Sequence, residues 1–135
     1  MIVAIDGPAA AGKSTSAKKV ARELGFTHLN TGAMYRCVTL SVLRDQITLD
    51  NENALSQLLN ELDIRLEKLD DELVVYLNGE DVSDEIRKAE VTSYVSTVSA
   101  LSQVRNALVR IQRNIAKNQD CVVEGRDIGT IVFPD

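Results

Sequence analysis

The run Gly7-Pro8-Ala9-Ala10-Ala11-Gly12-Lys13-Ser14 begins as the apolar stretch Ile2-Val3-Ala4-Ile5 ends, and it constrains the fold more than any other part of the chain. It has the form G-x-x-x-x-G-K-[ST], set between a stretch that reads as a buried strand and one that reads as a helix. A loop of this kind, opening on a helix N-terminus, turns successive backbone N–H groups inward around a nucleotide's phosphates, and the helix dipole favours their charge. Gly7 and Gly12 supply conformations and a close approach that a Cβ obstructs. Lys13 is expected to reach the β- and γ-phosphates, and the Ser14 hydroxyl to sit on Mg²⁺.

After the loop, Ala17, Val20, Ala21 and Leu24 recur at helical spacing, and Gly25 stands where a C-cap would. Lys18, Lys19, Arg22 and Glu23 read as the solvated face of that helix. Phe26 to Asn30 is a short strand candidate, and Thr31-Gly32 a turn into a helix from about Ala33 to Arg44. Tyr35 and Arg36 open that helix. An Arg in a first helical turn is disfavoured by the dipole, which points to an anion held opposite the loop, with an ordinary surface Arg as the alternative.

Leu55, Leu58 and Leu59 predict a short helix, after which the period changes. Residues 64–67 alternate, Asp70-Asp71 is a turn, and residues 72–77 form a second strand ending at Asn78-Gly79, so a small antiparallel unit is expected. Residues 80–83 lead back to helix. Ile86, Val91, Tyr94, Val95 and Val98 make a loose apolar stripe through Leu101, Ser102 reads as an N-cap, and Val104, Ala107, Leu108, Ile111 and Ile115 line the next helix. Cys121-Val122-Val123 has the character of a buried parallel strand, followed at once by Glu124-Gly125-Arg126-Asp127. Ligands of open α/β sheets bind just beyond strand carboxyl ends, which makes those four residues a candidate site, although buried ion pairs at strand ends look the same.

Charge is unevenly spread. Residues 45–90 hold 14 acids against 4 Lys/Arg, and the rest of the chain 6 acids against 11, so a middle of −10 sits within a remainder of +5. A basic remainder with a phosphate loop suits a small anionic ligand, while the acidic middle argues against wrapping nucleic acid. The middle is expected to be an inserted subdomain, residues 46–87, within a core made of residues 1–45 and 88–135. With 135 residues and 44% hydrophobic content the chain can build a core. No apolar run approaches the ~20 residues of a membrane helix, so a cytoplasmic protein without membrane partners is expected. Cys37 and Cys121 lack metal-ligand spacing and the lone His28 cannot complete a zinc set, so all three read as packing or surface residues.

On these motifs the chain closely resembles the bacterial cytidylate kinase family, within the nucleoside monophosphate kinase group of phosphate-loop proteins. The carriers are residues 6–15, Thr31-Gly32-Ala33-Met34-Tyr35-Arg36, Glu80-Asp81-Val82-Ser83 with Ile86-Arg87, and residues 124–130 up to Phe133-Pro134-Asp135. The resemblance implies an α/β fold, a parallel phosphate-loop sheet flanked by helices, with a small inserted monophosphate-binding subdomain. It implies transfer of the γ-phosphate of ATP to CMP or dCMP, giving CDP or dCDP, with Mg²⁺ as the ion. ATP is then held by Gly7, Pro8, Ala9, Ala10, Ala11, Gly12, Lys13, Ser14 and Thr15. CMP is held by Thr31, Tyr35, Arg36, Ser96, Arg105, Arg126 and Asp127. Lys13, Arg126 and Asp127 carry the catalytic roles, and Glu124 supports Ser14 at the metal through a water.

The family extends beyond Asp135, so the resemblance also implies that the remaining core strands, the lid and a late Asp and Arg of the CMP site are missing here. The expectation is a weakly active form of a monomeric parent, which self-associates through an exposed sheet edge. The alternatives are a kinase for UMP or shikimate on the same fold, or a nucleotide-binding module without turnover. A carboxylate acceptor paired with an Arg and a hydroxyl, as in Asp127, Arg105 and Ser96, distinguishes cytosine from uracil by its amine.

Overall fold

A computed structural model describes residues 2–6, 23–24, 27–69, 72–117 and 121–125. In chain order these form β1 (Ile2–Asp6), β2 (Thr27–Asn30), α1 (Thr31–Arg44), α2 (Glu52–Glu61), β3 (Ile64–Leu69), β4 (Glu72–Leu77), β5 (Glu80–Asp81), a 3₁₀ turn (Glu85–Arg87), α3 (Ala89–Ser99), α4 (Ser102–Ala116) and β6 (Cys121–Gly125). The phosphate loop, the turn at Asp70-Asp71 and residues 126–135 lie outside the described residues, as does the helix expected after the loop apart from Glu23 and Leu24, which are helical and exposed. The chain divides into two compact units, Met1–Gly32 with Val109–Asp135, and Ala33–Leu108.

The first unit holds a parallel sheet in the order β1-β6-β2. Its register runs from Ile2↔Cys121 to Asp6↔Gly125 on one side of β6, and from Thr27↔Cys121 to Asn30↔Glu124 on the other. The unbroken apolar runs Ile2-Val3-Ala4-Ile5 and Cys121-Val122-Val123 are what a parallel pair demands. All three strands point the same way, so their carboxyl ends meet along one edge. β1 ends there at Asp6, β2 at Asn30 and β6 at Gly125.

The second unit holds the antiparallel sheet β3-β4-β5. Ile64 and Leu77 are paired and buried while Arg65 and Glu67 are exposed, the alternation of a sheet with one dry face. Asn78 and Gly79 make the two-residue turn to β5 with φ of 51° and 86°, the left-handed pair that matches the twist of adjoining strands. The turn is tied down by Asn78, whose N–H donates to the Asp63 carbonyl at 2.7 Å and whose Oδ1 accepts the Asp63 N–H at 2.9 Å. Residues 80–83 were expected to run straight back to helix. Instead Glu80 and Asp81 pair with Leu77 and Tyr76 first, and the Ser83 Oγ accepts the Val75 N–H at 3.0 Å while donating to Asp81 Oδ1 at 2.7 Å.

Three helix boundaries also differ from expectation. The stripe from Ile86 to Leu101 is two elements, because Lys88 is extended (φ −63°, ψ 153°) between the 3₁₀ turn and α3; buried Ile86 and Val91 lie on opposite sides of that break. Helix α1 starts at Thr31, not Ala33, which moves Arg36 out of the first turn and removes the dipole argument for it. Ser102 is inside α4, since the Leu101 carbonyl already accepts the Arg105 N–H at 3.1 Å.

Local chemistry accounts for the rest. Asn51 caps α2 by accepting the Ala54 N–H at 3.1 Å, and Leu55, Leu58 and Leu59 form its buried stripe. In α1, Met34, Cys37, Val38 and Thr39 are fully buried, and the Thr39 hydroxyl is satisfied by donating to the Tyr35 carbonyl at 2.9 Å. At its C-terminal end Arg44 forks onto Glu80 at 3.2 and 3.0 Å, a charge placement that the helix dipole favours.

Candidate functional site

The site residues in the second unit are set by α1, which places Tyr35 and Arg36 side by side and half-buried. The Arg36 Nη1 donates to the Ile86 carbonyl and to the Thr92 Oγ1, each at 2.9 Å. Ile86 is a firm anchor, because its side chain is buried and its N–H donates to the Val82 carbonyl at 3.0 Å. Thr92 belongs to the first turn of α3, where its N–H donates to the Lys88 carbonyl at 3.0 Å. The extended Lys88 therefore sits between two groups that grip the same guanidinium.

Tyr35 meets a second cation. It lies near the Arg105 guanidinium of α4; burial pushes the phenol above its ordinary value of 10.0, and the nearby Arg105 pulls it partway back. Ser96 stands four residues after Thr92 in α3, hence on the same helix face, and is exposed. The structure thus places Arg105 near enough to Tyr35 to act on its phenol, and shows no hydrogen bond of the Ser96 side chain among the described residues. One aromatic ring and two guanidiniums, Arg36 and Arg105, are the types needed to receive an anion attached to a flat, polar ring.

In the first unit Glu124 stands in Cα register with Ile5 on one side and Asn30 on the other, at the carboxyl ends of all three strands. Gly125 is in register with Asp6, which directly precedes the expected phosphate loop. Thr31 follows Asn30 directly and is buried. A Cβ on Gly32 would lie 3.1 Å from the Asn30 Oδ1, so the absence of a side chain at residue 32 leaves that amide in place. Residues 7–15, Arg126 and Asp127 are outside the described residues. Among the described residues no group of three or more His, Cys, Asp or Glu is arranged to hold a metal, and no helix is long and apolar enough to cross a membrane.

Sequence reasoning missed Ile86 and Thr92 as partners of Arg36. A backbone carbonyl leaves no mark in the sequence, and the one available signal was the i, i+4 spacing of Thr92 and Ser96 on a helix face.

A family model described as cytidylate kinase matches residues 3–135. Among similar proteins, the cytidylate kinase of Caldanaerobacter subterraneus subsp. tengcongensis is 53% identical over 98% of this chain and 58% of its own length. That of Chloroherpeton thalassium is 52% identical over 100% of this chain and 57% of its own length, and that of Halalkalibacterium halodurans 47% identical over 100% and 61%. The chain spans about three fifths of the length of the curated relatives it matches.

Proposed function

The chain belongs to the cytidylate kinase family, and on that premise we propose that it serves a phosphotransferase that moves the γ-phosphate of ATP to CMP or dCMP, giving ADP with CDP or dCDP. The observation that carries this reading is the mount of Arg36, whose Nη1 donates to the Ile86 carbonyl and to the Thr92 hydroxyl, with Tyr35 next to it in α1 and Arg105 near Tyr35 in the same compact unit. Arg36 takes the phosphate of CMP, Tyr35 lies against the sugar, and Arg105 with Ser96 and Asp127 reads the cytosine edge. Arg126 adds a second cation at the phosphate. The family match does not favour a UMP kinase, a shikimate kinase or a module without turnover.

ATP is assigned to residues 7–15, with Lys13 on its β- and γ-phosphates. Magnesium, when bound, neutralises charge on those phosphates. Ser14 and, through a water, Glu124 would hold it: Glu124 stands at the carboxyl end of the middle strand, one register step from Asp6 where the loop begins, and an oxygen donor set suits a hard ion. Phosphoryl transfer asks the protein mainly to align two phosphates and to neutralise charge, so no dedicated base is assigned.

The residues 46–87 are proposed as the monophosphate-binding insert, and the parent as a cytoplasmic monomer that takes ATP with CMP or dCMP and has no nucleic-acid or membrane partner. Self-association of this chain by pairing at a sheet edge is proposed with it. A coupled ADP-release assay with CMP, dCMP and UMP as acceptors tests the function. Turnover with CMP or dCMP well above that with UMP is expected; equal rates would overturn the cytosine assignment, and CMP binding without any turnover would mark a binding module.

A further inference from the structure

Resting on the assignment of Arg36 to the monophosphate, we propose that Thr92 is a positioning residue that presents Arg36 to the phosphate. A guanidinium carries five N–H donors in one plane. Both donors of Arg36 Nη1 are committed, one to the Ile86 carbonyl and one to the Thr92 Oγ1, each at 2.9 Å. Nε and Nη2 have no partner among the described residues. Those two nitrogens form the edge with two parallel N–H vectors, the geometry that grips two oxygens of a phosphate at once.

One acceptor alone does not do this. A single bond from Ile86 lets the guanidinium plane swing about the N–H···O axis, whereas a second acceptor on the same nitrogen fixes the plane and so aims the free edge. The Ile86 carbonyl is rooted in a buried 3₁₀ turn and Thr92 in the first turn of α3, so the two acceptors come from separate elements joined by the extended Lys88. Thr92 also accepts without competing for the edge that the ligand needs. Its own residue is exposed, which frees it from any packing duty that would explain a hydroxyl there.

The test is a set of NMR-observed CMP titrations on the full chain, which reach millimolar constants, comparing the parent, Thr92→Val, Thr92→Ser, Arg36→Ala and Thr92→Val combined with Arg36→Ala. Thr92→Val keeps the branched shape and removes the acceptor; it is expected to weaken CMP binding by about three- to tenfold, the worth of part of a charged hydrogen bond. Thr92→Ser is expected to bind as the parent does. In the Arg36→Ala background Thr92→Val should cost nothing further, because its whole effect runs through the guanidinium. Parental affinity in Thr92→Val, or the same penalty with and without Arg36, would overturn the positioning role while leaving the proposed function standing. A parent chain that binds no CMP would overturn both, and CMP binding indifferent to Arg36→Ala would overturn this inference together with the assignment of Arg36 to the phosphate, while leaving CMP as the bound acceptor. If Thr92→Val loses its native amide dispersion, Thr92→Ala takes its place with the same expected penalty and the same overturning results.

Discussion

Tyr35 of α1 lies near enough to Arg105 of α4 for the guanidinium to act on its phenol, across two helices that the chain separates by most of the second unit. The phenol sits where burial opposes its ionisation and Arg105 favours it. Replacing Arg105 by Ala leaves burial unopposed, so the Tyr35 titration is expected to move further upward. An ultraviolet titration with Tyr76 and Tyr94 changed to Phe reads Tyr35 alone, and an unchanged or lower midpoint would show that Arg105 does not act on it.

Cys37 offers a second titration with the same sense. Burial pushes its thiol from 9.0 up to about 12. A group whose folded pKa is raised stabilises the fold fully below its unfolded value, and that contribution is lost as pH rises from about 9 toward about 12. Cys37→Ala removes the thiol and leaves a cost that does not vary with pH. The stability gap between parent and Cys37→Ala in urea unfolding should therefore narrow above about pH 9. A gap that stays constant to pH 11 would count against a buried, neutral thiol.

Gly79 tests the hairpin. At φ 86° with nothing within 4 Å of an added Cβ, it has room for a side chain but not the backbone conformation for one. Gly79→Ala is expected to cost about 1–2 kcal/mol by denaturant unfolding, from left-handed strain alone. Gly79→Asn should cost less, because Asn tolerates that region. Equal costs for the two would point to a contact instead of strain.

The loop makes the last prediction. Lys13→Ala is expected to weaken ATP binding by about ten- to a hundredfold, as loss of a charged hydrogen bond does, and added Mg²⁺ should not restore it. ATP affinity equal to the parent's would remove the phosphate role from residues 7–15.

Local patterns were legible without coordinates. Unbroken apolar runs marked β1 and β6, alternation marked β3 and β4, Asn78-Gly79 marked a tight turn, and the leucines of α2 marked its buried face, since each is written in neighbouring side chains. The break at Lys88 was not legible, because a loose apolar stripe runs across it and at Lys88 φ stays helical while ψ turns extended. Nor was the start of α1, where Thr31-Gly32 reads as a turn by composition and is helix in fact.

What only the tertiary structure decided is which distant groups meet. The last strand in sequence lies between the first two, so Glu124 is flanked by Ile5 and Asn30 at one sheet edge. The Arg36 guanidinium hangs from the Ile86 carbonyl and the Thr92 hydroxyl, and Tyr35 lies near Arg105. The sequence by itself determined the kinds of groups available, a G-x-x-x-x-G-K-S run, the arginines and a tyrosine, because chemistry resides in side chains. Their partners are chosen by backbone carbonyls and strand order, which every residue supplies alike and which no residue type records.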